Sequence, residues 1–159
     1  MVSESLSLDI RRIVTDSDLD GVVTGAILRR WWPEAEVVFG HPGELRAGLL
    51  DDCMDRHTAV CDLPRHPKCG LSIDHHQSNA PTEHDDDGVV VIWRQAPSAA
   101  RIAYDLLAAN TDLSDLTDML VWVDKLDGGG ITREEFRSNH PVVWLGRLID
   151  VESGLALHI

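Results

Sequence analysis

Short β-branched runs alternate with longer stretches of helical spacing along this chain, and each change of period marks a predicted element. Residues 9–15 read as a first strand, buried through Ile10, Ile13 and Val14. Residues 22–32 read as a helix stopped by Pro33, with Gly25 and Ala26 forming a thin side for packing on a sheet. A second strand is expected at 35–39, then a helix at 42–50 with Leu45, Leu49 and Leu50 on one face. Short apolar runs at 58–61, 71–73 and 89–93 give three further strands. Beyond them the pattern turns helical. One helix starts at Pro97 and lines up Ile102, Ala103, Leu106 and Leu107. Ser114 is placed to cap the next, which carries Leu116, Met119, Leu120 and Val123 and stops at Gly128, Gly129 and Gly130. Thr132 with Glu135 fits a capping box, and 141–149 makes a last helix. The fold class is therefore α/β: a mostly parallel five-stranded sheet with flanking helices and a helical C-terminal third.

The polar residues that matter sit where the apolar runs end. The first run is followed by D-S-D-L-D-G, bearing Asp16, Asp18 and Asp20. Alternate residues of an extended segment point the same way, so the three carboxylates are expected to converge at a strand end. Two unit charges about 4 Å apart repel by roughly 4 kcal/mol at an effective dielectric near 20. Such a group calls for a hard divalent cation, Mg²⁺ or Mn²⁺. An EF-hand loop begins the same way, but its twelfth position here is Ile27 where a bidentate Glu is needed. Asp62 leaves the third strand in the same manner, and Asp74, His75 and His76 leave the fourth. A carboxylate and two imidazoles in a row after a buried strand suit ligation and substrate contact better than packing.

Composition narrows the classes. The chain has 159 residues, 43% of them hydrophobic, which suits one domain with a real core. No stretch is long enough to span a bilayer, and the N-terminus lacks a signal-peptide pattern. Cys53, Cys61 and Cys69 are sparse and odd in number, as expected of reduced thiols in the cytoplasm. Together with His57 and His66 they lack the paired spacing of a structural zinc site. With 14 basic and 27 acidic residues, the net charge is −13 and opposes broad binding to a phosphate backbone. The acidic run at 83–87 reads as a solvated loop, and Lys68, Arg94 and Lys125 are the cations considered for a phosphate contact.

Taken in order, D-S-D-L-D-G, V-C-D-L-P, S-I-D-H-H and W-V-D-K-L-D-G resemble the motif series of the DHH phosphoesterase family, and within it the exopolyphosphatase-related branch. The resemblance covers the whole chain as one catalytic lobe, residues 1–159, with the family's usual C-terminal substrate-binding domain absent from it. It implies hydrolysis of phosphodiester or phosphoanhydride bonds by a hydroxide activated between two ions, usually Mn²⁺, with Mg²⁺ as the other choice. It implies Asp16, Asp18, Asp20, Asp62, His75 and Asp124 as metal ligands, with Asp62 bridging. It also implies that His76 faces the scissile phosphate and that Asp74 orients a histidine. The substrate would be a phosphate-containing small molecule or short oligonucleotide, and a second copy of the chain is a candidate partner.

This sequence has Asp16 where the family carries His, and Ile131 follows its triple glycine where the family's GGGH motif has His. Two other readings stand beside this one. D-L-D-G-V-V fits a haloacid-dehalogenase-type phosphatase with Asp16 or Asp18 as nucleophile. A metal- or nucleotide-binding regulatory lobe without turnover is the other.

Overall fold

The computed structural model describes residues 5–82 and 87–149, so 83–86 of the acidic run lie outside the described residues. Valine, isoleucine and threonine are stiff at χ1 and fit a pleated surface, and the runs rich in them form the strands. These are β1 (Arg12–Asp16), β2 (Glu36–Gly40), β3 (Thr58–Cys61), β4 (Leu71–Asp74) and β5 (Val90–Trp93). They form one five-stranded sheet in the order β2-β1-β3-β4-β5, and all of its neighbours pair in parallel. In this doubly wound order the crevice beyond the carboxyl ends of β1 and β3 is where ligands bind.

The helices are α1 (Leu19–Arg29), α2 (Pro42–Arg46), α3 (Ala99–Leu107), α4 (Thr117–Asp127), α5 (Arg133–Arg137) and α6 (Pro141–Leu148). Side chains of β1 and β3 alternate between two cores. Ile13, Ala59 and Cys61 join Ile27, Leu28, Ile102, Leu107 and Leu120 in the larger one, against α1, α3 and α4. Val14 and Val60 point the other way, to Leu45, Met54 and Leu63. Burying such an aliphatic side chain contributes about 1.5–3 kcal/mol, so the strand ends sit on a rigid base. No helix among the described residues is long and apolar enough to cross a membrane.

Several boundaries differ from the sequence expectation for local reasons. Helix α1 begins at Leu19 because the Asp18 side chain caps it, accepting from Gly21 N at 2.9 Å. Gly25 packs on the sheet as expected, its missing Cβ position 3.5 Å from Thr15 and Val37, whereas Ala26 faces solvent. The expected helix over 42–50 ends at Arg46. Gly48 takes a left-handed φ of 74° and unwinds the chain, leaving Leu49 71% exposed. Pro97 lies outside α3, which Ser98 caps by accepting from Arg101 N. Ser114 opens a 3-10 turn (Ser114–Leu116) rather than capping α4, which has no side-chain cap. The Thr132–Glu135 capping box is present on α5.

Candidate metal centre

The carboxyl ends of β1, β3 and β4 meet the first turn of α1 and the last turn of α4. Asp16 is the final residue of β1. The chain turns at once, because Gly21 packs against it so closely that an added Cβ would fall 2.0 Å from the Asp16 carbonyl oxygen. Asp18 is thus a helix cap and Asp20 a residue of the first helical turn. The three carboxylates gather through a strand, a cap and a helix. They do not line one face of an extended strand, as the alternation suggested.

Asp62 follows β3 with φ at 55°, a left-handed conformation that a non-glycine residue adopts at some cost and typically at functional positions. Its backbone N–H donates to the Ile73 carbonyl at 2.9 Å, which fixes the turn against β4. The side chain is buried, and its Oδ1 has no hydrogen-bond partner.

His75 supplies the second buried atom without a partner, its Nε2. The other ring nitrogen, Nδ1, lies 3.1 Å from the Ala96 carbonyl. A carbonyl only accepts, so Nδ1 carries a proton, which leaves Nε2 as the ring atom able to ligate a metal. Around that lone pair stand Asp127 Oδ2 at 3.1 Å, Asp62 Oδ1 at 3.5 Å and Asp20 Oδ2 at 3.6 Å.

Three sets of donor atoms lie within 4.8 Å of one another: Asp16, Asp18 and Asp62; Asp20, His75 and Asp127; and Asp62, Asp74, His75 and His76. Asp62 therefore belongs to the first set and stands beside His75 of the second, between two places for a cation. Oxygen donors with one imidazole suit a hard or borderline divalent ion. The paired orphans, Asp62 Oδ1 and His75 Nε2, are what such an ion would satisfy.

Charge tells the same story. Burial, then repulsion from Asp18, raises the Asp16 carboxyl to about 6. Burial and Asp127 raise Asp20 to about 7, although the Ala99 and Ala100 N–H groups donate to it at 2.7 and 2.8 Å. Burial with the neighbouring carboxylates also pushes Asp62 upward, and burial raises Asp127. Among the described residues no arginine or lysine pairs with these carboxylates.

Asp74 is different. Burial alone would raise it, but hydrogen bonds from His76 and Asn79 bring it below the ordinary carboxylate range. Its Oδ1 takes His76 Nδ1 at 2.8 Å, and its Oδ2 takes Asn79 Nδ2 at 2.6 Å. The Trp93 indole donates to the His76 carbonyl at 2.9 Å. The Asp74 hydrogen bond raises the His76 pKa, and the ring is about half exposed, its Nε2 left for an incoming group.

Of the residues singled out in the sequence, Asp16, Asp18, Asp20, Asp62, Asp74, His75 and His76 come together, and Asp124 does not. Asp124 Oδ1 accepts from Ser98 Oγ at 2.6 Å, and its Oδ2 takes Nε and Nη2 of Arg101 at 3.0 and 2.5 Å. It ties α4 to the start of α3. Asp127, one helical turn on, reaches His75 instead. The sequence signal was available in D-K-L-D-G, where two aspartates three apart share a helix face and only one precedes the glycine stop. Lys125 pairs with Glu135 and Arg94 with Asp105, so neither is a free cation for a phosphate. Cys53, Cys61 and Cys69 are unpaired, and none joins a metal-type grouping among the described residues.

No family model matches the chain, and no curated protein does. Solved structures do. A pGpG-specific phosphodiesterase, PggH from Vibrio cholerae, is 28% identical with a TM-score of 0.72 over 91% of this chain and 46% of its own. An uncharacterized protein from Helicobacter pylori G27 is 12% identical with a TM-score of 0.51, over 86% of this chain and 47% of its own, and shows the fold alone. The chain spans under half the length of either structure. The neighbour with a stated activity is a phosphodiesterase, and nothing in these matches points to the exopolyphosphatase branch.

Proposed function

We propose that this chain is the metal-binding lobe of a DHH-type phosphodiesterase, a hydrolase whose substrate is a short oligonucleotide such as a linear dinucleotide. The observation that carries the reading is the pair of buried, partnerless atoms, Asp62 Oδ1 and His75 Nε2, 3.5 Å apart between two carboxylate groups. The likeness to PggH favours a phosphodiester over a phosphoanhydride. Asp16, Asp18 and Asp62 would hold one divalent ion, and Asp20, His75 and Asp127 the other, with Asp62 shared. Mn²⁺ suits the imidazole, and Mg²⁺ the carboxylates. When bound, the ions supply charge neutralisation at phosphorus and water activated at neutral pH.

The protein's own residues do the positioning. His75 keeps its lone pair inward because its proton is held at Ala96. Asp74 fixes the His76 ring through Nδ1, so that Nε2 is available to a phosphoryl oxygen or a leaving group. The two α3 N–H groups hold Asp20 in place from behind. A dehalogenase-type mechanism would leave Asp74, His75 and His76 without a role at the centre they occupy. The unpaired cysteines fit a reducing compartment, and we place the protein in the cytoplasm.

The test is turnover of pGpG with Mn²⁺ and with excess chelator. Release of mononucleotide that chelator abolishes supports the reading. An absence of hydrolysis with saturating Mn²⁺ or Mg²⁺, on this substrate and on an activated aryl diester, overturns it in favour of a regulatory lobe.

A further inference from the structure

A phosphate approaching this centre meets a chain of net charge −13, so cations placed beside the cluster decide where the anion rests. Most nearby cations are already engaged: Arg101 by Asp124, Arg94 by Asp105 and Lys125 by Glu135. Arg46 is not. Its side chain makes no hydrogen bond or ion pair with any described residue. It lines a cavity of about 220 Å³ whose other walls include Asp16, Asp62, His76, Ser78 and Asn79.

The fold puts it there. Asp16 pairs in register with Gly40, so the chain leaving β2 passes beside the cluster. His41 and Glu44 then close a capping box that fixes the start of α2. Leu45 is buried in the smaller core and anchors the helix, which leaves Arg46 on the exposed side. Its backbone is held and its guanidinium is free. In the same lining Asn79 is occupied by Asp74, while the Ser78 hydroxyl has only a long 3.4 Å contact to Asn79.

We infer that Arg46, with the Ser78 hydroxyl on the same cavity, forms an anion subsite that holds a phosphate group of the substrate beside the metal cluster. The inference deepens the phosphodiesterase reading and rests on it for the substrate class. A guanidinium fork meets two phosphate oxygens at once, and such charge-assisted pairs are among the stronger hydrogen bonds.

The test is calorimetric titration of inorganic phosphate into the Mn²⁺-loaded chain, beside KM for pGpG. Arg46→Ala should weaken phosphate binding about tenfold or more and raise KM, while Mn²⁺ affinity and melting temperature stay unchanged. Arg46→Lys should recover part of the loss, since it restores the charge without the fork. Equal phosphate affinity in wild type and Arg46→Ala, with metal loading intact, overturns the subsite, as does wild-type protein that binds no phosphate at millimolar concentration. Phosphate binding through Arg46 without diester hydrolysis leaves the subsite standing and removes the enzyme reading. Hydrolysis with KM unchanged by Arg46→Ala does the reverse.

Discussion

Asp124 and Asp127 lie one turn apart on α4, yet they belong to different parts of the molecule. Asp124 is neutralised within the protein, by the Arg101 guanidinium and the Ser98 hydroxyl. Asp127 faces His75 among carboxylates that pair with no arginine or lysine of the described residues. Glu135, elsewhere in this helical third, shows how far a partnered carboxyl can fall, for Lys125 holds it near 2. At the strand ends the same chemistry runs the other way, and Asp16 and Asp20 rise to about 6 and 7 through burial and mutual repulsion. Where the fold needs a carboxylate for its own cohesion it supplies a cation. Around Asp62 the described residues supply no arginine or lysine, which is the opening for an external cation.

The largest effect should follow removal of the shared carboxylate. Asp62→Asn keeps a residue tolerant of the left-handed backbone, so the protein should fold, and without metal it should melt no lower than wild type. On the proposed function, diester turnover should fall by at least about 10²-fold, the scale of losing one key electrostatic group. Near-normal turnover would remove Asp62 from the centre.

Next come the two aspartates of α4. Asp127→Asn should lower affinity for a divalent ion at least about tenfold and leave the metal-free melting temperature unchanged or higher. Asp124→Asn should do the opposite. It strands Arg101 and should cost roughly 1–3 kcal/mol, a fall of about 2–4 °C per kcal/mol for a chain this size, with metal affinity retained. Matching metal titrations for the two variants would erase the distinction between them.

A smaller effect is the response of the metal-free protein to pH. The folded-state values of Asp16 and Asp20 are raised above the ordinary carboxylate range. Between the unfolded and the folded values the native state therefore binds more protons, and stability falls as pH rises. The melting temperature of the metal-free chain should drop from about pH 4 to pH 7, across those two values, while saturating Mn²⁺ flattens or reverses the slope. A metal-free melting temperature that climbs through this range would contradict the assigned charge imbalance.

The smallest is remote from the centre. Thr132→Ala removes the α5 capping box and should cost about 1 kcal/mol, with metal binding untouched. A change in metal affinity would show that α5 communicates with the cluster.

How much of this was legible in the sequence depended on the kind of neighbour each residue has. β3 appears at its expected bounds, because a short run of buried residues needs only its own period to be recognised. The convergence of Asp62, Asp74 and the two histidines was legible for the same reason, each following a buried strand. Asp16, Asp18 and Asp20 were also found, but by a geometry that does not apply: a cap and a helical turn bring them together. That turn depends on Gly21 against the Asp16 carbonyl, a tertiary contact no periodicity encodes. Nothing in the helical period separates Asp124 from Asp127, because the two share a helix face and the Arg101 that engages Asp124 lies on another helix. Arg46 went unnoticed, since its place depends on the β1–β2 register and on Leu45 anchoring a five-residue helix. Ala26 points outward because helical phase, not residue size, decides which small side chain meets the sheet.

On the proposed function, the clustered carboxylates exist to hold divalent ions around Asp62. Calorimetric titration of Mn²⁺ into the metal-free chain, beside Asp62→Asn and Asp124→Asn, tests it most directly. Two ions per chain are expected, with the high-affinity binding lost in Asp62→Asn and kept in Asp124→Asn. No saturable binding to the wild type, or binding that Asp62→Asn leaves unchanged, would contradict it.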